Sequence, residues 1–248
     1  MTDPDPAPAR PARPHHQLTA DGRRKREVLT YSRRGARLTD GQAEAWERRH
    51  REWWVPDDAV DQPGFDLLGV FARPAPLLVE VGVGVGEATA AAAAARPDWN
   101  VLAFEVWRPG VAQVMQRMEQ AGVDNARVVS VDAVWALEHL LAPGSVDELW
   151  TFFPDPWPKT RHHKRRMVNP ALAGVVARRL RPGGTWRLAT DWAEYADRMC
   201  EVLDAEPLLA GGAVPRYDGR PLTRFERKGI EAGRAITDLA YRRLGDEP

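Results

Sequence analysis

A glycine-rich turn ends the apolar segment Leu77-Leu-Val-Glu80-Val-Gly82-Val-Gly84-Val-Gly86. An alanine-rich helix is predicted directly after it, over residues 87–96. Glycines between a strand and a helix let the backbone turn sharply and approach a ligand closely at the helix N-terminus. The spacing is G-x-G-x-G, whereas dinucleotide-binding folds prefer G-x-G-x-x-G. The turn therefore indicates a ligand-binding α/β sheet without defining the ligand.

On both sides of this turn, after Pro76, short apolar strands alternate with helices, which is typical of a parallel α/β sheet. The predicted strands are Leu77–Val81, Val101–Glu105, Arg127–Val131, Glu148–Phe153 and Thr185–Thr190. Apolar stripes at helical spacing predict helices around Val111, Val114, Met115 and Met118, around Leu172, Val175, Val176 and Leu180, and around Ala196, Met199, Cys200 and Leu203. Beyond Pro207 this rhythm weakens, and we predict antiparallel edge strands there.

The composition is that of an ordinary globular protein, with 248 residues, 44% hydrophobic and 28% charged. Lys and Arg number 35 and so do Asp and Glu, so any affinity for nucleic acid must come from local patches. The single cysteine, Cys200, excludes a disulfide framework within the chain and favours a reducing compartment. Since no apolar run is long enough to span a membrane and no signal peptide is recognisable, we expect a cytoplasmic protein.

The first 76 residues differ in composition from the rest. Residues 1–27 contain five prolines and six Lys or Arg but few large apolar side chains, so we predict a disordered tail. Its cluster Arg23-Arg24-Lys25-Arg26 suits either a polyanion or plain solvent. Residues 28–76, rich in arginine and tryptophan, are predicted to be a leader within a single domain of residues 28–248.

Three acidic residues occur at three successive predicted strand ends. Glu80 precedes the first glycine of the turn, while Glu105 and Asp132 close the next two strands. Because the carboxyl ends of parallel strands meet at one edge of an open α/β sheet, we expect these side chains to line a ligand crevice. Carboxylates suit a ligand that has a ribose and positive charge, and S-adenosylmethionine has both. Each acid alone is equally explained as a cap of the following helix.

A rigid aromatic loop and a basic run follow the fourth predicted strand. The loop reads Phe153-Pro154-Asp155-Pro156-Trp157-Pro158-Lys159, and its prolines restrict the backbone on both sides of Asp155. Flat rings beside a carboxylate suit stacking and pairing with a nucleobase. The basic run consists of Arg161, His162, His163, Lys164, Arg165 and Arg166, which are predicted to contact RNA phosphates. The alternative to an RNA contact is that the run is only a solvated face. Since the histidines lack the spacing of a metal site, we predict no metal.

Together these motifs resemble the bacterial tRNA (guanine-N7)-methyltransferases. The resemblance covers roughly residues 28–243 and rests on the glycine turn with Glu80, the 153–157 loop, the 161–166 run, Ala189-Thr190-Asp191-Trp192 and Thr223-Arg224-Phe225-Glu226. It implies a Rossmann-like class I methyltransferase, which is an α/β fold with a seven-stranded, mostly parallel sheet and helices on both faces. It also implies methyl transfer from S-adenosylmethionine to N7 of a guanine in the variable loop of tRNA.

The resemblance implies roles for individual residues as well. It assigns Glu80, Gly82, Glu105, Asp132 and Asp155 to cofactor binding, with Asp155 also the catalytic residue. It assigns Lys159, Asp191 and the stretch Thr223, Arg224, Phe225 and Glu226 to the guanosine substrate. The expected partner is tRNA, with no membrane, and the protein is expected to be a monomer or a homodimer.

Two other functions explain parts of the pattern. A nicotinamide-dependent oxidoreductase would share the sheet and the glycines, but its usual G-x-G-x-x-G spacing is missing and the basic aromatic loop would have no purpose. A non-enzymatic RNA-binding module would explain the loop and leave the three strand-end acids idle. The methyltransferase explains both features.

Overall fold

The computed structural model describes Arg10, Arg13, Thr30, Gly35 and residues 37–245. The helices of this described part are α1 (Asp40–Trp53), α2 (Glu87–Ala95), α3 (Arg108–Ala121), α4 (Ala133–Leu140), α5 (Pro170–Arg179), α6 (Ala193–Asp204) and α7 (Arg224–Glu231). Its strands are β1 (Trp54–Val55), β2 (Leu77–Val81), β3 (Asn100–Phe104), β4 (Ala126–Val129), β5 (Val146–Phe152), β6 (Leu180–Thr190), β7 (Leu209–Val214) and β8 (Thr237–Arg243). Short 3₁₀ helices occupy Ala59–Asp61, Leu68–Val70 and Thr160–Arg165.

The strands form one sheet in the order β1-β4-β3-β2-β5-β6-β8-β7. The strands from β1 to β6 pair in parallel, and β8 pairs antiparallel with both β6 and β7. The chain moves outward from β2 through β3 to β4, and then restarts on the other side of β2 with β5. Ligands bind at the carboxyl ends of the strands at such a switch point.

The predicted α/β class and mostly parallel sheet are confirmed, and the strands beyond Pro207 are antiparallel as expected. The predicted number of strands, seven, is one too low. The additional strand is the two-residue β1, which the leader adds beside β4. Two residues are too few to show any periodicity in a sequence.

Helices cover both faces of the sheet. One buried cluster packs α4, α5 and α6 against the sheet, with Trp135, Leu172 and Met199 among its members. The other cluster packs α1, α2 and α3 on the opposite face, with Trp46 and Met115. Cys200 lies half-buried against the first cluster, and burial raises the pKa of its thiol. Among the described helices, none combines the length and the apolar character that a membrane crossing requires.

The leader is tied to the domain by α1, which packs against α3. Thr39 and Gln42 form a capping box at its start. Arg10 and Arg13, from the segment predicted to be disordered, contact the chain just after β1: Arg13 donates to Asp61 at 2.6 and 2.9 Å, and Arg10 to the backbone carbonyl of Phe65 at 2.6 Å. The rest of residues 1–27, including 23–26, lies outside the described residues, and so do Arg33, Arg34 and residues 246–248.

Candidate active site

A crevice opens to solvent at the carboxyl ends of the central strands. The structure brings the three acids Glu105, Asp132 and Asp155 to its wall, together with Gly82. The remaining wall is mainly apolar and includes Phe104, Val106, Trp107, Val131, Val134, Phe152, Phe153, Met167 and Phe225.

The glycine turn brings the start of α2 and the start of α3 close together. Gly86 is the N-cap of α2 in a left-handed conformation, with φ 75°. A Cβ atom at this position would lie 2.7 Å from Val114 Cγ2 and 2.9 Å from Val114 Cα. A Cβ on Gly110 would lie 2.5 Å from the carbonyl oxygen of Gly84. The backbone therefore packs against backbone here, which holds the turn at the floor of the crevice.

Glu105 lies directly after β3, one residue beyond the strand end as the structure has it. Its Oε2 accepts the N–H of Gly84 and its Oε1 that of Trp107, both at 2.8 Å. These two bonds fix the carboxylate at the rim of the crevice. The carboxylate thus matches the hydroxyls of a ribose in position and chemistry.

Asp132 caps the following helix, which was the alternative to ligand binding, and it also lines the crevice. Its Oδ1 accepts the N–H of Trp135 at 3.0 Å and caps α4. The same side chain forms part of the crevice wall next to Val131 and Val134. The cap holds the carboxylate beside apolar side chains, and a flat heterocycle with an exocyclic amine suits such a surface.

Glu80 lies beneath the glycine turn instead of on the main crevice wall. It is buried, and its Oε2 accepts a hydrogen bond of 2.5 Å from the Thr89 hydroxyl. Burial, with a smaller contribution from the charge of Glu105, raises its pKa to about 7. Glu80 adjoins a smaller pocket that also touches Gly82 and Phe225. A cationic group that entered this pocket would favour the ionised carboxylate.

The residues present therefore fit S-adenosylmethionine. The crevice combines apolar walls with half-buried carboxylates at Glu105 and Asp132, and a buried carboxyl, Glu80, adjoins it. This donor set suits a ligand with a heterocycle, a ribose and positive charge, and it suits a pyrophosphate poorly because like charges would meet.

The Asp155 loop has an uncommon backbone. Phe153 and Trp157 both adopt left-handed conformations, with φ 52° and 45°, and they flank Pro154-Asp155-Pro156. Such conformations in bulky residues cost of order 1–3 kcal/mol each and persist where the surroundings enforce them. The Phe153 N–H donates to the Ala189 carbonyl at 2.7 Å, and the Trp157 indole N–H to the Thr30 carbonyl at 3.3 Å. Asp155 is thereby held half-buried at the crevice wall.

The basic run forms the 3₁₀ helix Thr160–Arg165 next to this loop. Arg161 and Lys164 are exposed, and the Arg165 guanidinium lies over the Trp157 ring, 3.5 Å from its centroid. His162 and His163 are half-buried, and burial lowers the pKa of His162. Arg166, in contrast, is only 4% exposed. The contact of Arg166 with RNA stays a prediction, and its burial distinguishes it from Arg161 and Lys164.

The residues assigned to the guanosine lie at different depths. Lys159 is exposed on the aromatic loop, and Phe225 lines the crevice above Gly84. Asp191 accepts a hydrogen bond of 2.7 Å from Arg234. The Arg224 N–H donates to Glu87 at 2.7 Å.

Two members of the Thr223–Glu226 stretch have structural partners. Thr223 caps α7 by accepting the N–H of Glu226. Glu226 is 1% exposed and binds Arg216 and Arg220, and its assignment to the guanosine stays a prediction.

Sequence reasoning missed several wall residues, namely Phe104, Val106, Trp107, Val134 and Met167. They are apolar and carry no chemical signature. Their position was the available signal, because Val106 and Trp107 directly follow a strand-end acid and Met167 follows the basic run.

The sheet order and the crevice define a class of protein, the Rossmann-like class I methyltransferases. A family model described as "Putative methyltransferase" matches residues 74–239, more than half of the chain. A curated relative from Nocardioides sp. (strain JS614), named tRNA (guanine-N(7)-)-methyltransferase, is 64% identical over 245 residues and covers 99% of both chains. One of the same name from Cutibacterium acnes is 46% identical over 273 residues, covering 98% of this chain and 99% of that one.

This chain belongs to the tRNA (guanine-N(7)-)-methyltransferase family, which confirms the resemblance found in the sequence. Among solved structures, the 16S rRNA (adenine(1408)-N(1))-methyltransferase of Catenulisporales acidiphilia matches with a TM-score of 0.49 and 18% identity, over 70% of this chain and 88% of that one. The family assignment rests on the sequence relatives.

Proposed function

We propose that this chain transfers the methyl group of S-adenosylmethionine to N7 of a guanine in the variable loop of tRNA. The observation that carries the proposal is the place of Asp155. It lies on the wall of the crevice, in a loop held between two left-handed residues, and the run with the exposed Arg161 and Lys164 follows this loop in the chain. The names of the relatives support tRNA and guanine N7, and the variable loop follows from the sequence resemblance.

The cofactor, when bound, supplies an electrophilic methyl group. The chain's own residues hold it: Glu105 accepts the ribose hydroxyls, Asp132 borders the heterocycle, and Glu80 neutralises a positive charge from below the turn. Asp155 completes the wall on the side of the basic run. Each strand-end acid is thus assigned to the part of the ligand that suits its surroundings.

Methylation of N7 places particular demands on Asp155. The ring nitrogen attacks with its own lone pair and loses no proton, so no strong general base is needed. Positive charge instead develops on the purine. A fixed carboxylate stabilises that charge and orients the reactants, and it does so most effectively when it needs no rearrangement. The strained backbone on both sides of Asp155 provides this preorganisation.

The test of the proposal is Asp155→Asn, which keeps the shape of the side chain and removes its charge. The methylation rate on unmodified tRNA should fall by about 10²–10³, the range for one preorganised electrostatic contact. Asp98→Asn is the matched control, because Asp98 is an exposed aspartate that also follows a proline and lies at the opposite edge of the sheet. A near wild-type rate for Asp155→Asn, with cofactor and tRNA bound normally, would show that Asp155 is not catalytic.

Two further measurements address the rest of the proposal. Strand cleavage at the methylated base maps the modified nucleotide, and a position outside the variable loop contradicts that part of the proposal. Fluorescence titration with S-adenosylmethionine and with a nicotinamide dinucleotide separates the methyltransferase from an oxidoreductase. We infer that the enzyme acts in the cytoplasm as a monomer or a homodimer, which sedimentation of the purified chain can distinguish.

A further inference from the structure

Arg166 ends the basic run but is turned inward, unlike its exposed neighbours Arg161 and Lys164. It directly follows the 3₁₀ helix, and its own N–H donates to the His163 carbonyl at 2.9 Å. The exposed part of the basic run therefore ends at the 3₁₀ helix. The guanidinium of Arg166, directly after this helix, is buried.

The guanidinium of Arg166 has several protein acceptors. Its Nε donates to the carbonyl oxygen of Pro156 at 2.8 Å. Its two terminal nitrogens bind both oxygens of Glu194, on the first turn of α6, at 2.9 and 2.5 Å. One of them also donates to His163 Nε2 at 3.1 Å, and the group lies 4.8 Å from the centroid of the Tyr195 ring. A group engaged in this way has little capacity left for a phosphate.

We propose that Arg166 is a positioning residue for the reaction: it anchors the Pro156 carbonyl to α6 and thereby holds the Asp155 carboxylate at the crevice wall. The inference rests on the proposed function of Asp155. The Pro156 carbonyl belongs to the residue after Asp155, and Met167, the residue after Arg166, lines the same crevice. One arginine thus joins the loop that carries the carboxylate to the helix next to it.

The shape of the side chain explains why an arginine is required. A planar fork binds both oxygens of Glu194 while its Nε is directed to a different acceptor, whereas a lysine ammonium cannot match both directions at once. Glu194 depends on the same contact, because the hydrogen bond from Arg166 holds the pKa of its carboxyl below the usual range. The basic run therefore has two kinds of residue: exposed residues that can reach RNA, and the buried Arg166, which fixes the loop.

The test compares Arg166→Lys with wild type, with Arg178→Lys as the control for the same exchange at an exposed site on α5. We expect Arg166→Lys to lower kcat by about 10–100-fold, within the range for misplaced catalytic groups. The KM for tRNA and the dependence of tRNA binding on salt should stay at the wild-type level. A merely structural role would lower the stability while the correctly folded fraction kept its kcat, so kcat is referred to the fraction that binds cofactor.

A second variant, Glu194→Gln, tests the same contact at a side chain that is 58% exposed and whose main partner is Arg166. It should lower kcat by a smaller factor, about 3–10-fold, at unchanged tRNA affinity, since Gln can still accept one hydrogen bond from Arg166. A wild-type kcat in both variants overturns the inference, and so does a flatter salt dependence for Arg166→Lys. If instead the wild-type protein methylates no guanine N7, the proposed function fails before the variants are compared.

Discussion

At the scale of single residues, Glu80 has an ionisation that depends on folding. Its pKa in the folded protein is raised to about 7 by burial, against an ordinary value of 4.5. Between these two values the folded state holds a proton that the unfolded state has lost. Stability therefore falls as the pH rises from about 4.5 to about 7, and the full cost remains above that range.

Glu80→Gln tests this ionisation in the protein without ligand. A shift of two to three pKa units corresponds to about 3 kcal/mol, so wild type should lose about that much more unfolding free energy than Glu80→Gln between pH 4.5 and 7. Denaturant titrations at several pH values measure the difference. Glu138→Gln changes an exposed glutamate on α4 and should follow wild type. Parallel curves for wild type and Glu80→Gln would show that Glu80 ionises normally in the fold.

At the scale of elements, a buried ionic cluster attaches α7 to the sheet. Arg220 is 1% exposed and donates two hydrogen bonds to Glu226 and two to Asp238 on β8. Its guanidinium also lies 5.2 and 5.4 Å from the ring centroids of Phe152 and Phe153. The cluster therefore connects α7 with the end of β5, where the Asp155 loop begins.

Removal of one charge from this cluster should be costly. Glu226→Gln leaves the buried Arg220 with one anionic partner fewer, and breaking a buried pair costs about 3–5 kcal/mol. Glu231→Gln, at the exposed end of the same helix, is the matched control. Denaturant unfolding checks the difference. Unchanged stability together with weakened tRNA methylation would favour the predicted role of Glu226 in substrate contact over a structural one.

The predicted and observed elements show how much of the secondary structure the sequence reveals. The five central strands and the helices α2, α3, α5 and α6 were predictable because their apolar periodicity is local. Boundaries were less accurate: β6 begins at Leu180, not Thr185, because it follows α5 without a loop. Arg166 was assigned to RNA from the charge of its run, and Glu226 to the guanosine from the family resemblance. Their burial depends in part on partners up to 28 residues away, which no local pattern contains.

At the scale of the whole molecule, charge is balanced, so RNA binding has to depend on where the cations lie. The exposed cations Arg161 and Lys164 belong to the 3₁₀ helix that follows the loop carrying Asp155. Arg178 and Arg181 lie at the amino ends of the strands, at the opposite edge of the sheet. A tRNA that presents a guanine to the crevice would reach the first pair and not the second.

Neutralising each pair separately tests this placement. Each lost phosphate contact lowers the slope of log affinity against log salt by about 0.7–0.9, so Arg161→Gln with Lys164→Gln should flatten it by roughly 1.4–1.8. Arg178→Gln with Arg181→Gln removes the same charge and should leave the slope unchanged. Because phosphate contacts position the RNA without reading its bases, the first double variant should still methylate the same guanine. Equal slopes for both double variants would show that the RNA is held by other residues, and that the exposed part of the basic run is only a solvated face.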